Sequence, residues 1–211
     1  MEERETEGSG WSGLDRGREG RRNSGMKRLI QGLAVSIFCA GCVVTSVHPF
    51  YSEATLFAVP SLAGRWTEPG EKNADVYEFK PKGEKQFILS HTAGAEVAKD
   101  SYVVRPFKLG SQVYLDVFTS ERSSNLIPGH QVWKVSRLDP LEVQQFDLDW
   151  LKKTLAAKPS LLRHERIYEA DDRPENYGLA LTASTSELQA FLSKQAAVSE
   201  AWGDVGRLVR K

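Results

Sequence analysis

The chain predicts a mainly β domain of the α+β class: an antiparallel meander forming a small barrel or curled sheet, with two or three C-terminal helices packed on it. Three observations carry this. Between Gly64 and Phe146, short runs alternate apolar and polar residues and are bounded by Pro, Gly or Asp, the mark of strands with one buried face. After Asp147 the apolar spacing lengthens to a helical interval, at Leu148, Leu151 and Leu155. The composition, 40% hydrophobic and 27% charged over 211 residues, is that of a folded chain with room for one domain plus appendages.

Taken in order, Ser52 to Val59 reads as a short helical turn stopped at Pro60, which cannot continue it. Gly64-Arg65-Trp66-Thr67-Glu68 reads as the first strand, ended by the turn residues Pro69-Gly70. Asp75 to Lys80 alternates, with Val76 on the opposite face from Tyr77 and Phe79. Pro81 to Glu84 is a turn, and Gln86 to His91 the returning strand of a hairpin. Val97 to Leu109 and Gln112 to Phe118 are strands separated by Gly110. A polar loop from Thr119 reaches Pro128-Gly129. His130 to Val135 and Leu141 to Phe146 alternate on either side of Asp139-Pro140.

The helix from Leu148 is capped by Asp147, whose carboxylate accepts an orphan backbone N–H, and is stopped before Pro159. Glu169 to Tyr177 is polar and reads as a loop, and Leu179 to Thr182 as a last strand. Ser184 and Glu187 form a capping box, each side chain satisfying a backbone donor of the other. That box opens a helix with Leu188, Phe191 and Leu192 on one face. The tail from Ala201 to Lys211 is expected to continue as helix. The eight aromatics Trp66, Tyr77, Phe79, Phe87, Tyr102, Tyr114, Phe118 and Trp133 are expected to fill the core or to line an apolar pocket.

Lys and Arg equal Asp and Glu at 28 each, so the basic excess of a nucleic-acid partner is absent. Cys39 and Cys42 have no second Cys or His pair to complete a zinc site. His48, His91, His130 and His164 show no metal-ligand spacing. Gly8 to Gly13 spells G-x-G-x-x-G in a polar tail without the strand and helix that would give it meaning. There is no G-x-S-x-G elbow. Ser90, His91 and Asp116 supply the residue types of a triad, which only geometry establishes. No catalytic set, no cofactor and no metal is expected.

The N-terminal part has a different character. Residues 1–25 are rich in charge, Gly and Ser and are expected to be a disordered extension, explained most simply by a misassigned start with Met26 the true one. Met26-Lys27-Arg28 then leads into the apolar run Leu29 to Phe38, a positive n-region and an h-region of signal-peptide length. Cys39-Ala40-Gly41-Cys42 follows and resembles the lipobox of bacterial lipoproteins, although Cys39 stands where that family usually has Leu. The resemblance implies a signal peptide over 26–41, acylation of Cys42, and a lipid tether over 42–60 ahead of one domain over 61–211. Val43 is not Asp, which by the same resemblance implies the outer membrane, facing the periplasm. An uncleaved membrane segment over 29–47 remains the alternative.

Leu62-Ala63-Gly64-Arg65-Trp66 resembles the Gly-x-Trp motif on the first strand of lipocalins, where the Trp closes the bottom of an up-and-down barrel. The helix near 148–157 departs from that family. These resemblances together imply an exported lipoprotein with a non-enzymatic binding or structural domain at the cell envelope. Its expected partners are the membrane, through the lipid, and a small apolar ligand or an envelope protein. An envelope hydrolase with an unrecognised site is the competing expectation.

Overall fold

The computed structural model describes residues 44–70, 74–93, 96–119, 129–168 and 177–211. Both cysteines, the expected signal peptide and the extension before it lie outside the described residues, as do most of the expected loops after Thr119 and Glu169.

The strands are β1 (Thr45–Ser46), β2 (Gly64–Thr67), β3 (Val76–Pro81), β4 (Phe87–Ala93), β5 (Glu96–Leu109), β6 (Gln112–Thr119), β7 (His130–Leu138), β8 (Leu141–Gln144), β9 (His164–Tyr168), β10 (Tyr177–Leu181) and β11 (Gly206–Arg210). Two α-helices, α1 (Leu148–Ala157) and α2 (Thr185–Gln195), are interleaved with the last of them. β2 to β8 form a continuous antiparallel meander, and β11 pairs with both β8 and β2. The result is a closed barrel of eight antiparallel strands. Closure satisfies every strand edge within the barrel wall, which an open sheet of this size would leave exposed.

The alternation seen in the sequence sorts the wall into two faces. Trp66, Tyr77, Phe79, Phe87, Leu89, Val104, Leu115, Val117, Trp133, Val135, Leu141, Val143 and Leu208 point inward and form one buried cluster. Eight strands enclose a space that such side chains can fill. Phe107, Tyr114 and Val132 point outward from β5, β6 and β7 into a second buried cluster. That cluster is completed by Val44, Phe50, Leu151, Leu155, Leu181, Leu188, Phe191 and Trp202. The outer face of these three strands is therefore covered rather than solvated.

The cover is built from both ends of the chain. β1 pairs with the start of β7, Ser46 opposite His130, and runs parallel to β10. β9 hangs on β10 as the last strand of a small side sheet. Gly129 sits where β1 meets β7, and a Cβ there would lie 1.8 Å from Thr45 Cγ2. Only glycine leaves space for the chain to cross. The helix caps are those the sequence predicts: Asp147 Oδ1 accepts from Trp150 N at 2.7 Å, and Ser184 and Glu187 form their box.

One expectation is corrected. The tail is not helical: Gly206–Arg210 is the strand that closes the barrel, because Leu208 faces the inner core between β8 and β2. The two α-helices among the described residues fall within the two or three expected, and one strand pair, β9–β10, lies between them. The stretch 42–60, expected as tether, enters the fold at Val44. Ser46 and Phe50 are buried, and the expected turn resolves into two short 3-10 turns at Glu53–Thr55 and Pro60–Leu62.

Candidate functional site

One region of the barrel interior is held by a plug. The chain entering β2 crosses the inner core, where Val59 and Leu62 are buried. Trp66 Nε1 donates to Leu62 O at 2.9 Å, so the indole N–H, which would be costly to bury alone, is satisfied by the plug itself. The guanidinium of Arg210 lies over the Trp66 ring, 4.5 Å from its centroid, and donates to Ser61 O and to Ala63 O. The last residue of the closing strand thus ties the first strand and the plug together. Gly64 fits this arrangement: its φ is +126°, and a Cβ would sit 3.2 Å from an Arg210 nitrogen. The glycine and tryptophan of the Gly-x-Trp motif both serve this knot.

Next to this knot the inner face of β3 and β4 turns polar, with Tyr77 directly across from Trp66. Tyr77 faces His91 across the pair, and the rings stack at 4.9 Å. His91 Nε2 donates to Asp75 Oδ2 at 2.7 Å, and Thr67 Oγ1 donates to Asp75 O. Burial pushes the Tyr77 phenol above its ordinary range, and the charges of Glu68 and Asp75 add to the effect. Tyr102 packs against the same inner cluster. The barrel interior therefore holds a phenol and an imidazole, with the Asp75 carboxylate on the latter, in the same cross-strand row as Trp66 and Arg210.

A second Asp–His pair lies on the outer wall. Asp116 is fully buried between the strands and the second core. Its Oδ1 accepts from His130 Nδ1 at 2.8 Å, and its Oδ2 accepts from Phe50 N at 2.9 Å. A buried carboxylate needs such partners, or its desolvation would exceed any gain. The His130 ring rests against Phe118 at 4.6 Å. Gln189 Nε2 donates to Phe50 O and Thr185 Oγ1 to Pro49 O. Side chains of β6 and α2 thus grip the backbone of the arm over residues 44–57 as they would a bound peptide.

The aromatics expected together are divided. Trp66, Tyr77, Phe79, Phe87 and Trp133 lie in the inner cluster, with Tyr102 against it. Tyr114 belongs to the outer cluster, and Phe118 lies outside on His130. Ser90, His91 and Asp116 are not assembled: His91 engages Asp75, and Asp116 engages His130. Sequence reasoning missed Arg210 and both Asp–His pairs. Each joins positions 14 or more residues apart, and only the barrel register relates them.

Among the described residues no group of three or more His, Cys, Asp or Glu is placed to hold a metal ion, and no helix is long and apolar enough to cross a membrane. No family model, curated protein or solved structure matches the chain.

Proposed function

We propose that the chain is an exported lipoprotein, acylated at Cys42, whose barrel is a non-enzymatic binding domain at the periplasmic face of the outer membrane. One structural observation supports the binding half: the closed barrel is plugged by Trp66, Leu62 and Arg210, while inward-facing polar groups gather at Tyr77, His91 and Asp75. A mainly apolar interior with a few convergent polar groups suits a small, largely apolar ligand carrying one hydrogen-bonding group. The ligand's apolar part would lie against Tyr77 and Tyr102, and His91 and Asp75 would orient its polar end. The lipobox-like Cys39-Ala40-Gly41-Cys42 supports the anchored half.

The two halves are tested separately. Cys42→Ser is expected to abolish palmitate labelling and membrane fractionation in cells; a variant that still labels and pellets refutes the anchor. For the ligand, native mass spectrometry of the purified domain is expected to show a bound small molecule that His91→Ala weakens. An unliganded mass in both proteins, with no displacement of an apolar dye, refutes the binding role.

A further inference from the structure

β9 ends the sheet, with β10 its one strand neighbour among the described residues. The register shows which of its backbone groups β10 engages. Tyr168 to His164 lie opposite Tyr177 to Leu181, and one step further on Thr182 N donates to Arg163 O at 2.9 Å. Hydrogen-bonded and non-hydrogen-bonded pairs alternate along an antiparallel ladder. Glu165 and Ile167 therefore turn their N–H and C=O toward β10, and His164, Arg166 and Tyr168 turn theirs outward. The other side of β10 agrees: Leu181, opposite His164, gives its carbonyl to Val47 N at 3.0 Å. A run of outward donors and acceptors on an end strand is a template for one more strand.

The side chains of β9 alternate across this edge. His164, Arg166 and Tyr168 share a face with Tyr177, Leu179 and Leu181, and Glu165 and Ile167 share the other. On the first face Lys152 Nζ lies 4.3 Å and the Arg166 guanidinium 4.8 Å from the Tyr177 ring centroid. Neither cation has a carboxylate within ion-pair distance among the described residues. On the second face Ile167 is 42% exposed, because the residue opposite it is Gly178, which has no side chain to cover it.

We propose that the free edge of β9 docks an extended peptide segment of a partner protein, which joins the sheet as an antiparallel strand with a carboxylate opposite Arg166. Backbone bonds to His164, Arg166 and Tyr168 give the affinity, and alternate side chains give the selectivity. The pairs across the new ladder set the pattern the edge accepts. A carboxylate meets Arg166, an apolar residue meets Ile167, and a cation meets Glu165. A segment shifted by one residue would set its carboxylate against Glu165 or Ile167 and is rejected. The docking edge stands independently of the acylation of Cys42 and of any ligand in the barrel.

The test uses the full chain and a fluorescein-labelled peptide, Ser-Thr-Val-Glu-Lys-Thr-Ser, followed by fluorescence anisotropy. With its Glu opposite Arg166, antiparallel pairing sets its Val on Ile167 and its Lys on Glu165. Saturable binding is expected, roughly fivefold weaker for the analogue with Lys in place of Glu, with the difference shrinking as salt is added. Arg166→Gln is expected to erase the difference between the two peptides. N-methylation of the peptide's Glu, whose N–H would face β9, is expected to abolish binding, and N-methylation of its Val, whose N–H would face away, to leave it. Arg166→Pro removes an outward N–H at an edge position where proline is tolerated, and is expected to abolish binding with the circular dichroism unchanged. Where that variant does not fold, the two N-methylated peptides decide. No binding of the parent peptide, or equal loss from the two N-methylations, overturns the proposal. A dimer of the chain in light scattering that Arg166→Pro dissociates assigns the edge to a second copy and overturns it as well.

Discussion

The inner and outer cores of this domain are built from the same strands by different means. The inner core is local. Neighbouring hairpins bring Trp66 to Tyr77, Phe79 to Leu89 and Leu115 to Trp133 through direct cross-strand pairs, and only β11 arrives from far along the chain. The outer core is assembled from pieces distant in sequence: the arm at Phe50, the wall at Tyr114, α1, α2 and Trp202. β6 is the shared partition. Leu115 and Val117 face in, Tyr114 and Asp116 face out, and all four are fully buried. A wall buried on both sides lets the barrel serve as scaffold for an arm that leads to the expected membrane anchor. It also makes the arm's attachment depend on a polar clamp, because the arm has one large buried anchor, Phe50, and little else to bury.

The comparison breaks most severely at the inner core. Trp66→Ala removes a fully buried indole, the hydrogen bond to Leu62 O and the surface on which Arg210 lies. A loss of about 3–5 kcal/mol is expected from the cavity alone, read as a fall in the denaturant midpoint of the whole domain. A loss confined to the arm and helices, with barrel amides still protected, would contradict the primacy given to the inner core. The outer core should fail differently. Asp116→Ala strips Phe50 N and His130 of their buried acceptor, at a cost of roughly 3 kcal/mol. Hydrogen exchange is expected to accelerate first over residues 44–57, while β2, β3 and β4 keep their protection. Uniform acceleration would show that arm and barrel open as one unit.

The same contrast explains what the sequence disclosed. The meander was legible because period two and turn residues are local signals, and each hairpin of the inner core repeats them. Asp147, Ser184 and Glu187 announced the helix starts for the same reason. The closing strand was not legible. In Gly206-Arg207-Leu208-Val209-Arg210 a single large residue, Leu208, faces inward between a glycine and an arginine, so alternation carries almost no amplitude. β9 is exposed along nearly its whole length, and a strand without a buried face has no pattern to show. The outer core was hidden in plain view within β6. Tyr114 and Asp116 share one parity while Leu115 and Val117 share the other, and a one-core reading assigns all the aromatics to a single interior. The candidate site suffered most, since Asp75 with His91, Asp116 with His130 and Trp66 with Arg210 are pairs that only register creates.

A finer test of the outer core concerns Tyr114. Its hydroxyl is buried, with no hydrogen-bond partner among the described residues, between Phe107 and Trp202. An unsatisfied buried hydroxyl costs about 1–3 kcal/mol, so removing it with its shape retained should be neutral or stabilising. Tyr114→Phe is expected to raise the melting temperature slightly, and a lower one would mean that the hydroxyl is held by an ordered water. Burial also pushes the phenol up to about 12. Its folded value thus exceeds its unfolded value near 10, so its contribution is complete below about pH 10 and is lost as the pH rises toward 12. The Phe variant should therefore show a shallower alkaline fall in stability than the parent.

The smallest effect is expected at the exposed edge of the outer core, where Glu187 caps α2. Its carboxylate accepts from Ser184 Oγ at 2.6 Å, from Arg163 at 2.8 Å and from Ser184 N at 2.8 Å. The Ser184 and Arg163 side chains and then the Ser184 backbone N–H hold its pKa down to about 2. A depressed folded value means that the contribution is present above the unfolded value, about 4.3, and disappears as the pH falls toward 2. Glu187→Gln should thus lower the melting temperature modestly at neutral pH and match the parent near pH 2, with the two curves converging between. The solvent-exposed position keeps the difference small and sensitive to salt. A gap that persists unchanged to pH 2 would mean that α2 is held by Leu188, Phe191 and Leu192 in the outer core and that its cap contributes shape rather than charge.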